Sequence, residues 1–152
     1  MKAINKLIIY YCALNKKGKF ERKIARILKL FTEKISAVDI SASCIFPKSV
    51  TIPHLVGIVI GSTAVIGENV VIMPNVVLGR KDIIKSKSGK RHPTIGNNVF
   101  IGAGAVILGD IKVGDYSVIA ANSILTISVP SYSLVTSYNC VRKRSDSLDV
   151  KK

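Results

Sequence analysis

Large aliphatic residues recur at every sixth position along two stretches of the chain. These positions are Ile60, Ile66, Ile72 and Leu78 in the first stretch, and Ile95, Ile101, Ile107, Val113, Ile119 and Leu125 in the second. A small residue, usually glycine, follows most of them. Helical faces repeat every 3.6 residues and strand faces every two, so a period of six fits neither a lone helix nor a lone strand. A short fixed repeat of this length is typical of a β-helix.

The repeat therefore predicts an all-β solenoid, a parallel β-helix in which each hexapeptide forms one short strand and one corner. Three hexapeptides close one triangular coil, and successive coils stack at about 4.8 Å. The aliphatic residues then line the interior, where burial stabilises the fold by about 25 cal/mol per Å². A β-sandwich with coincidental spacing does not explain so many matching positions.

The repeat is interrupted at two places. The first is a step of eight residues between Ile52 and Ile60, which produces a bulge that contains His54. The second follows Leu78 and is a projecting loop at residues 80–94, rich in lysine, serine and glycine. Irregular segments on a regular scaffold often carry function, so both are candidate sites.

Three segments follow from this pattern: a basic helical segment at residues 1–37, the β-helix at 38–130 and a basic tail at 131–152. Within the first, residues 19–35 place apolar side chains at helical spacing, with lysines and arginines on the opposite face. We expect this helix to cap the open end of the solenoid. With its basic face outward, it also suits peripheral contact with the inner membrane.

Charge and cysteine content narrow the choice of partners. The net charge is +14, concentrated in residues 1–39 and 80–91. Clustered positive charge suits phosphate-bearing cofactors, acidic glycans or an anionic membrane surface. No nucleic-acid partner is predicted, because the chain carries no recognition motif for one. The three cysteines have neither disulfide-framework nor zinc-site spacing, so we predict a cytoplasmic protein.

The chain has only two histidines, His54 and His92, and both lie at the interruptions of the repeat. A histidine can accept a hydroxyl proton near neutral pH when a partner holds its other ring nitrogen. Both are therefore candidates for catalysis, and surface histidines without a role are the alternative.

Four segments resemble serine acetyltransferases, which are left-handed β-helix acyltransferases. They are Asp39-Ile40, HLVGIVIG at 54–61, RHPTIG at 91–96 and IGAGAVILG at 101–109. The resemblance covers residues 38–130. It implies a left-handed coil, acetyl-CoA as co-substrate and a homotrimer with active sites between neighbouring subunits. No metal is expected, because hexapeptide-repeat carbonic anhydrases need three histidines and this chain has two.

The resemblance also implies residue roles in an acetyltransferase. His54 matches the general base, and Asp39 matches the aspartate that orients it. Arg91 and His92 match the pair that faces the acceptor from the adjoining subunit. His54 would remove the acceptor hydroxyl's proton while the oxygen attacks the thioester carbonyl directly.

The predicted coenzyme A contacts are spread along the coil. Ala103 and Ala121 match backbone positions beside the pantetheine arm, and Gly79 matches a glycine near the thioester. Arg142 and Lys143, in the basic tail, are predicted to meet the coenzyme A phosphates.

Two departures from the family bear on the acceptor. Pro53 stands where the family has an aspartate that holds serine's amino group, and Lys90 replaces the acid before the Arg-His-Pro motif. Each lost charged contact is worth on the order of 1.5–3 kcal/mol. We therefore predict a carbohydrate acceptor, a sugar hydroxyl of a bacterial surface polysaccharide or its precursor. The alternatives are a serine O-acetyltransferase of cysteine biosynthesis and a non-catalytic trimeric scaffold.

Overall fold

The computed structural model describes residues 8, 10, 12–14, 18–81 and 89–143. Residues 8, 10 and 12–14 are helical, and α1 spans Lys19–Ser36. The strands are β1 (Asp39–Ile40), β2 (Val59–Ile60), β3 (Val65–Ile66), β4 (Val71–Ile72), β5 (Val77–Gly79), β6 (Thr94–Ile95), β7 (Phe100–Ile101), β8 (Val106–Leu108), β9 (Lys112–Val113), β10 (Val118–Ile119), β11 (Ile124–Leu125), β12 (Ser133–Val135) and β13 (Val141–Lys143).

The strands form three sheets, which the chain visits in turn. The first sheet has the order β1-β2-β5-β8-β11, the second β3-β6-β9 and the third β4-β7-β10-β12-β13. All pairings are parallel except that of β12 with β13. Because each strand returns to its own sheet one coil later, the described strands wind as the predicted parallel β-helix.

The register shows the length of one coil and the place of the projecting loop. Val59 lies opposite Val77, and Val106 lies opposite Ile124, so each of these steps spans three hexapeptides. The step from Val77 to Val106 is longer, because the loop after β5 is inserted within that coil. Part of the loop, residues 82–88, lies outside the described residues.

The interior matches the period of six. All ten aliphatic positions of the repeat are 0–1% exposed, which confirms the predicted core. Each two-residue strand turns one side chain inward and its neighbour outward: in β3, for example, Ile66 is buried and Val65 is half-buried. Side chains alternate in this way along any strand. Because each hexapeptide contains one such strand and one corner, the buried position recurs every six residues.

The coil continues beyond the predicted end at residue 130. Val129 still bridges Val113, and Leu134 in β12 pairs with Val118. The step from Val118 to Leu134 falls short of three full hexapeptides, so the hexapeptide register is lost although the coil persists. The chain then turns back as β13, whose antiparallel pairing covers the outer strand of the third sheet.

Helix α1 packs against the first coil through part of its apolar face. Ala25 is buried, and Ile24 and Leu28 pack against the core. Phe20 and Ile27, predicted to share this face, are instead 72% and 66% exposed. The apolar stripe is wider than the surface that the first coil offers to the helix. Among the described residues, no helix is both long and apolar enough to cross a bilayer.

Candidate functional site

Two edges flank the first sheet and carry the irregular segments. We call the corner between the first and second sheets the loop edge, formed by residues 61–64, 80–81, 89–93 and 109–111. The corner between the third and first sheets is the bulge edge, formed by residues 53–58, 73–76, 102–105 and 120–123. The two histidines lie on different edges: His92 on the loop edge and His54 on the bulge edge.

A pocket of about 350 Å³ opens on the outer face of the first sheet beside the loop edge. It is lined by Lys29, Asp39, Ser41, Val59, Ile60, Gly61, Ser62, Arg80, Arg91 and His92. Three cationic side chains and one carboxylate thus surround a histidine, a composition that suits a small acceptor carrying a negative charge. The structure brings together three of the predicted site residues here: Asp39, Arg91 and His92.

His92 is 8% exposed and is held by Thr63, in the turn between β2 and β3. The Thr63 hydroxyl lies 2.8 Å from His92 Nδ1, and the Thr63 backbone N–H donates to the same nitrogen at 3.2 Å. Burial lowers the pKa of His92, and the charges of Arg91, Arg80 and Lys90 lower it further. The ring is therefore neutral near pH 7.

Asp39 is paired with a residue that the sequence did not indicate. Its Oδ1 accepts a hydrogen bond from Lys29 Nζ of α1 at 2.7 Å, and its side chain is 60% exposed. An ion pair at this exposure contributes about 0–1 kcal/mol, so it holds the carboxylate only loosely. The predicted partnership of Asp39 with His54 stays a prediction.

His54 is exposed on the bulge edge and does not line the pocket that holds His92. The bulge is fixed through its backbone: Gly57 N–H donates to the Ala37 carbonyl at 3.1 Å, and Val56 accepts from Asn75 at 2.9 Å. Ala37, Asp39 and Gly57 line a second, shallow pocket beside it.

The residues predicted to contact coenzyme A form two groups. Ala103 and Ala121 lie one coil apart on the bulge edge, where Asn122 N–H donates to the Ala103 carbonyl at 2.8 Å. Gly102 lets these coils approach, because a methyl group there would lie 2.5 Å from the Ala121 amide nitrogen. Gly79 lies instead at the loop edge, where β5 ends.

Arg142 and Lys143 are exposed on β13, just past the hairpin turn that follows β12. That turn runs from the bulge edge to β11, since Ala120 N–H donates to the Val135 carbonyl at 2.8 Å and Asn139 N–H donates to the Ile124 carbonyl at 2.9 Å. The basic pair therefore lies near the end of the row that Ala103 and Ala121 begin. Their contact with coenzyme A phosphates stays a prediction. Among the described residues, no three His, Cys, Asp or Glu side chains are grouped to hold a metal ion.

Sequence reasoning missed several residues of the site. Thr63 is 29 residues from His92 and belongs to an ordinary hexapeptide, so no local signal marks it. Lys29 belongs to the helix predicted to cap the solenoid or to contact the membrane, and not to contribute to the site. Arg80 had a usable signal, because it opens the basic insertion directly after Gly79.

The chain carries the repeat of a known class of enzymes. Residues 92–126 match the bacterial transferase hexapeptide, a family of six repeats. The chain is thus similar to hexapeptide-repeat transferases over these residues, and its particular similarity is to serine acetyltransferases. It is 42% identical to the serine acetyltransferase of Staphylococcus aureus over 129 residues, which cover 85% of this chain and 57% of that relative.

Solved structures agree with this similarity. The serine acetyltransferase of Neisseria gonorrhoeae in complex with serine superposes with a TM-score of 0.79 at 31% identity, covering 90% of this chain and 54% of that one. The Brucella abortus enzyme in complex with coenzyme A gives 0.79 at 33% identity, covering 90% and 52%. The chain spans about half the length of the relatives it matches.

The prediction of a carbohydrate acceptor is wrong. The relatives it matches at 42% identity are serine acetyltransferases, and one similar structure was solved with serine. The structure shows why Lys90 misled: its Nζ donates to the Thr63 carbonyl at 3.3 Å and lies 4.0 Å from Asp110. Lys90 does not line the pocket, so replacing an acid by this lysine puts no ammonium group into it.

Proposed function

We propose that this protein is a serine O-acetyltransferase, which moves the acetyl group of acetyl-CoA to the hydroxyl of L-serine. The observation that supports this most directly is the pocket that gathers Asp39, Arg91 and a neutral His92, at positions that match the serine acetyltransferase motifs. The similarity to acetyltransferases solved with serine and with coenzyme A agrees with it.

The proposed active form is a left-handed β-helical homotrimer. His54, Ala103 and Ala121 lie on the bulge edge, whereas Arg91 and His92 lie on the loop edge. On one chain these edges are at opposite ends of the first-sheet strands. A cleft in which the loop edge of one subunit faces the bulge edge of the next would unite both groups, and a threefold assembly supplies three such clefts.

In the proposed mechanism His54 is the general base. It takes the proton of the serine hydroxyl as that oxygen attacks the thioester carbonyl carbon, and the carbonyl oxygen becomes an oxyanion. Collapse of this intermediate breaks the carbon–sulfur bond. The coenzyme A thiolate then takes the proton from the His54 imidazolium, so the products are O-acetylserine and free coenzyme A. Asp39 would orient His54.

The cationic side of the pocket is proposed to bind the serine carboxylate. Arg91 is half-buried and Arg80 is exposed, and both line the pocket. A guanidinium can bind a carboxylate through two parallel hydrogen bonds. Asp39 is the one carboxylate among the lining residues. Pro53 has no side-chain carboxylate to accept a hydrogen bond from the serine ammonium group. We therefore expect a higher KM for serine than a carboxylate at position 53 would give.

The test is release of the coenzyme A thiol from acetyl-CoA with L-serine, in wild type and in the His54→Ala and His92→Ala variants. Serine-dependent release that is lost in His54→Ala and almost lost in His92→Ala is the expected result. The Thr51→Val variant, on an exposed position of the third sheet, is the matched control and should keep full activity. No serine-dependent release by folded, trimeric wild type would overturn the proposal.

A further inference from the structure

Thr63 uses each of its polar groups to hold the returning end of the projecting loop. Its hydroxyl oxygen accepts hydrogen bonds from the backbone N–H groups of Arg91 at 3.0 Å and His92 at 3.2 Å. Its carbonyl accepts from Lys90 Nζ at 3.3 Å. The hydroxyl and the backbone N–H both approach His92 Nδ1, at 2.8 and 3.2 Å. A single turn residue thus contacts three consecutive residues of the loop.

The direction of these hydrogen bonds follows from proton counting. A backbone N–H can only donate, so Nδ1 of His92 must be its acceptor. The Thr63 oxygen already accepts from two N–H groups, which leaves its one proton to point at Nδ1 as well. Nδ1 therefore offers a lone pair and carries no proton. In a neutral imidazole the single ring proton must then be on Nε2.

The other side of the ring faces the pocket. His92 lies over Gly61, whose absent side chain leaves the space that Cδ2 and Nε2 occupy: a methyl group there would stand 2.0 and 2.1 Å from those atoms. Both residues line the pocket. An Nε2–H at this place can donate a hydrogen bond to an acceptor oxygen, but it has no lone pair with which to remove a proton.

We propose that Thr63 is a positioning residue that fixes His92 as the neutral tautomer with its proton on Nε2, so that His92 serves as a hydrogen-bond donor to the substrate and not as the base. The role in catalysis rests on the proposed serine O-acetyltransferase function, whereas the tautomer does not. The two histidines thus have different roles: Thr63 occupies the only basic nitrogen of His92, and proton removal is left to His54.

The charges around His92 act in the same direction. Arg80 and Arg91 belong to the loop, Lys29 belongs to α1, and all three line the pocket with His92. Lys90 is held beside it by Thr63 and lies 4.0 Å from Asp110. Asp39 is the one carboxylate in the pocket lining, and Lys29 pairs with it at 2.7 Å. Protonation of the imidazole would therefore place a positive charge near several others, which favours the neutral ring.

The test reads the tautomer directly by long-range nitrogen–proton NMR on protein labelled with ¹⁵N-histidine. The chain has only two histidines, and a His54→Gln variant leaves one, so the signals can be assigned without ambiguity. The wild type and Thr63→Ser should show an unprotonated Nδ1 and a protonated Nε2. Thr63→Val keeps the shape and removes the hydroxyl but not the backbone N–H that donates to Nδ1. The Nε2–H tautomer should therefore remain the major form, and the His92 titration midpoint should rise because the hydroxyl no longer stabilises the neutral ring.

Activity provides the second readout. In Thr63→Val we expect kcat/KM for serine to fall about tenfold, since the lost hydroxyl leaves two loop N–H groups and Nδ1 without their partner. Thr63→Ser should recover most of it, and Thr51→Val should match wild type.

Two results would overturn the proposal: a proton on Nδ1 of His92 in wild type, or a Thr63→Val protein with an unchanged His92 titration midpoint and an unchanged pH profile. The wild-type spectrum decides the first even when Thr63→Val does not fold. Because the spectrum needs no acceptor, an Nε2–H tautomer without serine acetylation would contradict the proposed function alone.

Discussion

The imidazole of His92 lies directly against the backbone of Gly61, where a methyl group would stand 2.0 Å from Cδ2. Gly61 follows the buried anchor Ile60 and looks, in sequence, like any other glycine of the repeat. Its contact is different in kind. The other corner glycines make room mainly for the next coil, whereas Gly61 makes room for a side chain of the candidate site.

Gly61→Ala is accordingly expected to displace His92 from the pocket. A misplacement of about 1 Å can cost on the order of 100-fold in rate, so we expect a loss of kcat/KM of that size with serine. The matched control is Gly67→Ala, one corner further on, where a methyl group would lie 2.5 Å from the Gly96 carbonyl oxygen and would not touch His92.

Both variants strain the coil, so both should be less stable than wild type by a similar amount, whereas only Gly61→Ala should lose kcat/KM. The measurements are thermal unfolding by circular dichroism and steady-state kinetics well below both transitions. Equal kcat/KM in the two variants would show that the contact of Gly61 with His92 has no part in activity.

A site divided between two chains makes a quantitative prediction for mixed trimers. His54→Ala and His92→Ala proteins are each expected to be inactive or nearly so. When they are unfolded and refolded together in equal amounts, a cleft is complete only where an intact His54 meets an intact His92 from the neighbour. Random assembly gives that arrangement in about one quarter of the clefts.

The expected result is about 25% of wild-type activity per trimer, measured as coenzyme A release with serine. Refolding either variant alone is the control and should recover nothing. If both histidines served a cleft from the same chain, the mixture would stay as inactive as its components, and the proposed division between edges would have to be abandoned.

The coil could be predicted from sequence because its cause is local and periodic. Ile66 and Ile101 are buried for the same reason, a fixed number of residues between corners, and one chain suffices to see it. The end of the coil was harder to place. The step from Val118 to Leu134 is shorter than three hexapeptides. A prediction based on a spacing of six therefore ends the coil too early, although the strand pairing continues.

The site could be predicted only where motif and interruption coincide. His92 was found because it stands at the end of the insertion, but its holder Thr63 is one coil away and unremarkable in sequence. Lys90 shows the opposite error. Its charge suggested a changed acceptor, yet the fold directs its ammonium group to Thr63 and towards Asp110. The direction in which a loop side chain points is a tertiary property, which spacing does not encode.

Strand β8 offers a matched pair of substitutions for the interior. Ile107 is fully buried and its neighbour Val106 is half-buried on the outer face. We expect Ile107→Ala to lower the free energy of unfolding by about 2–5 kcal/mol, because it removes buried methylene groups and leaves a cavity. Val106→Ala should cost less than half as much. Urea unfolding followed by circular dichroism checks this, and equal losses would mean that the side chains do not alternate as the structure has them.

The lowered pKa of His92 makes stability depend on pH in a defined direction. Unfolded His92 has an ordinary pKa near 6.5, and the folded residue binds a proton less readily because of burial and the nearby Arg91, Arg80 and Lys90. As the pH falls below about 6.5, the unfolded chain takes up this proton first, so His92 lowers the free energy of unfolding in that window and has no such effect well above it. The slope for one group cannot exceed about 1.4 kcal/mol per pH unit.

Urea midpoints at pH 7.5 and 5.5, for wild type and His92→Gln, isolate this contribution from those of the other titrating groups. Wild type should lose more stability than His92→Gln between the two pH values, since glutamine cannot take up the proton. His54→Gln is the control, because it removes the other histidine and leaves the Thr63–His92 contact in place, and it should keep the wild-type difference. A larger loss in His92→Gln than in wild type would mean that the folded protein binds the His92 proton more tightly than the unfolded chain. That result would contradict the assignment of His92 as a neutral hydrogen-bond donor.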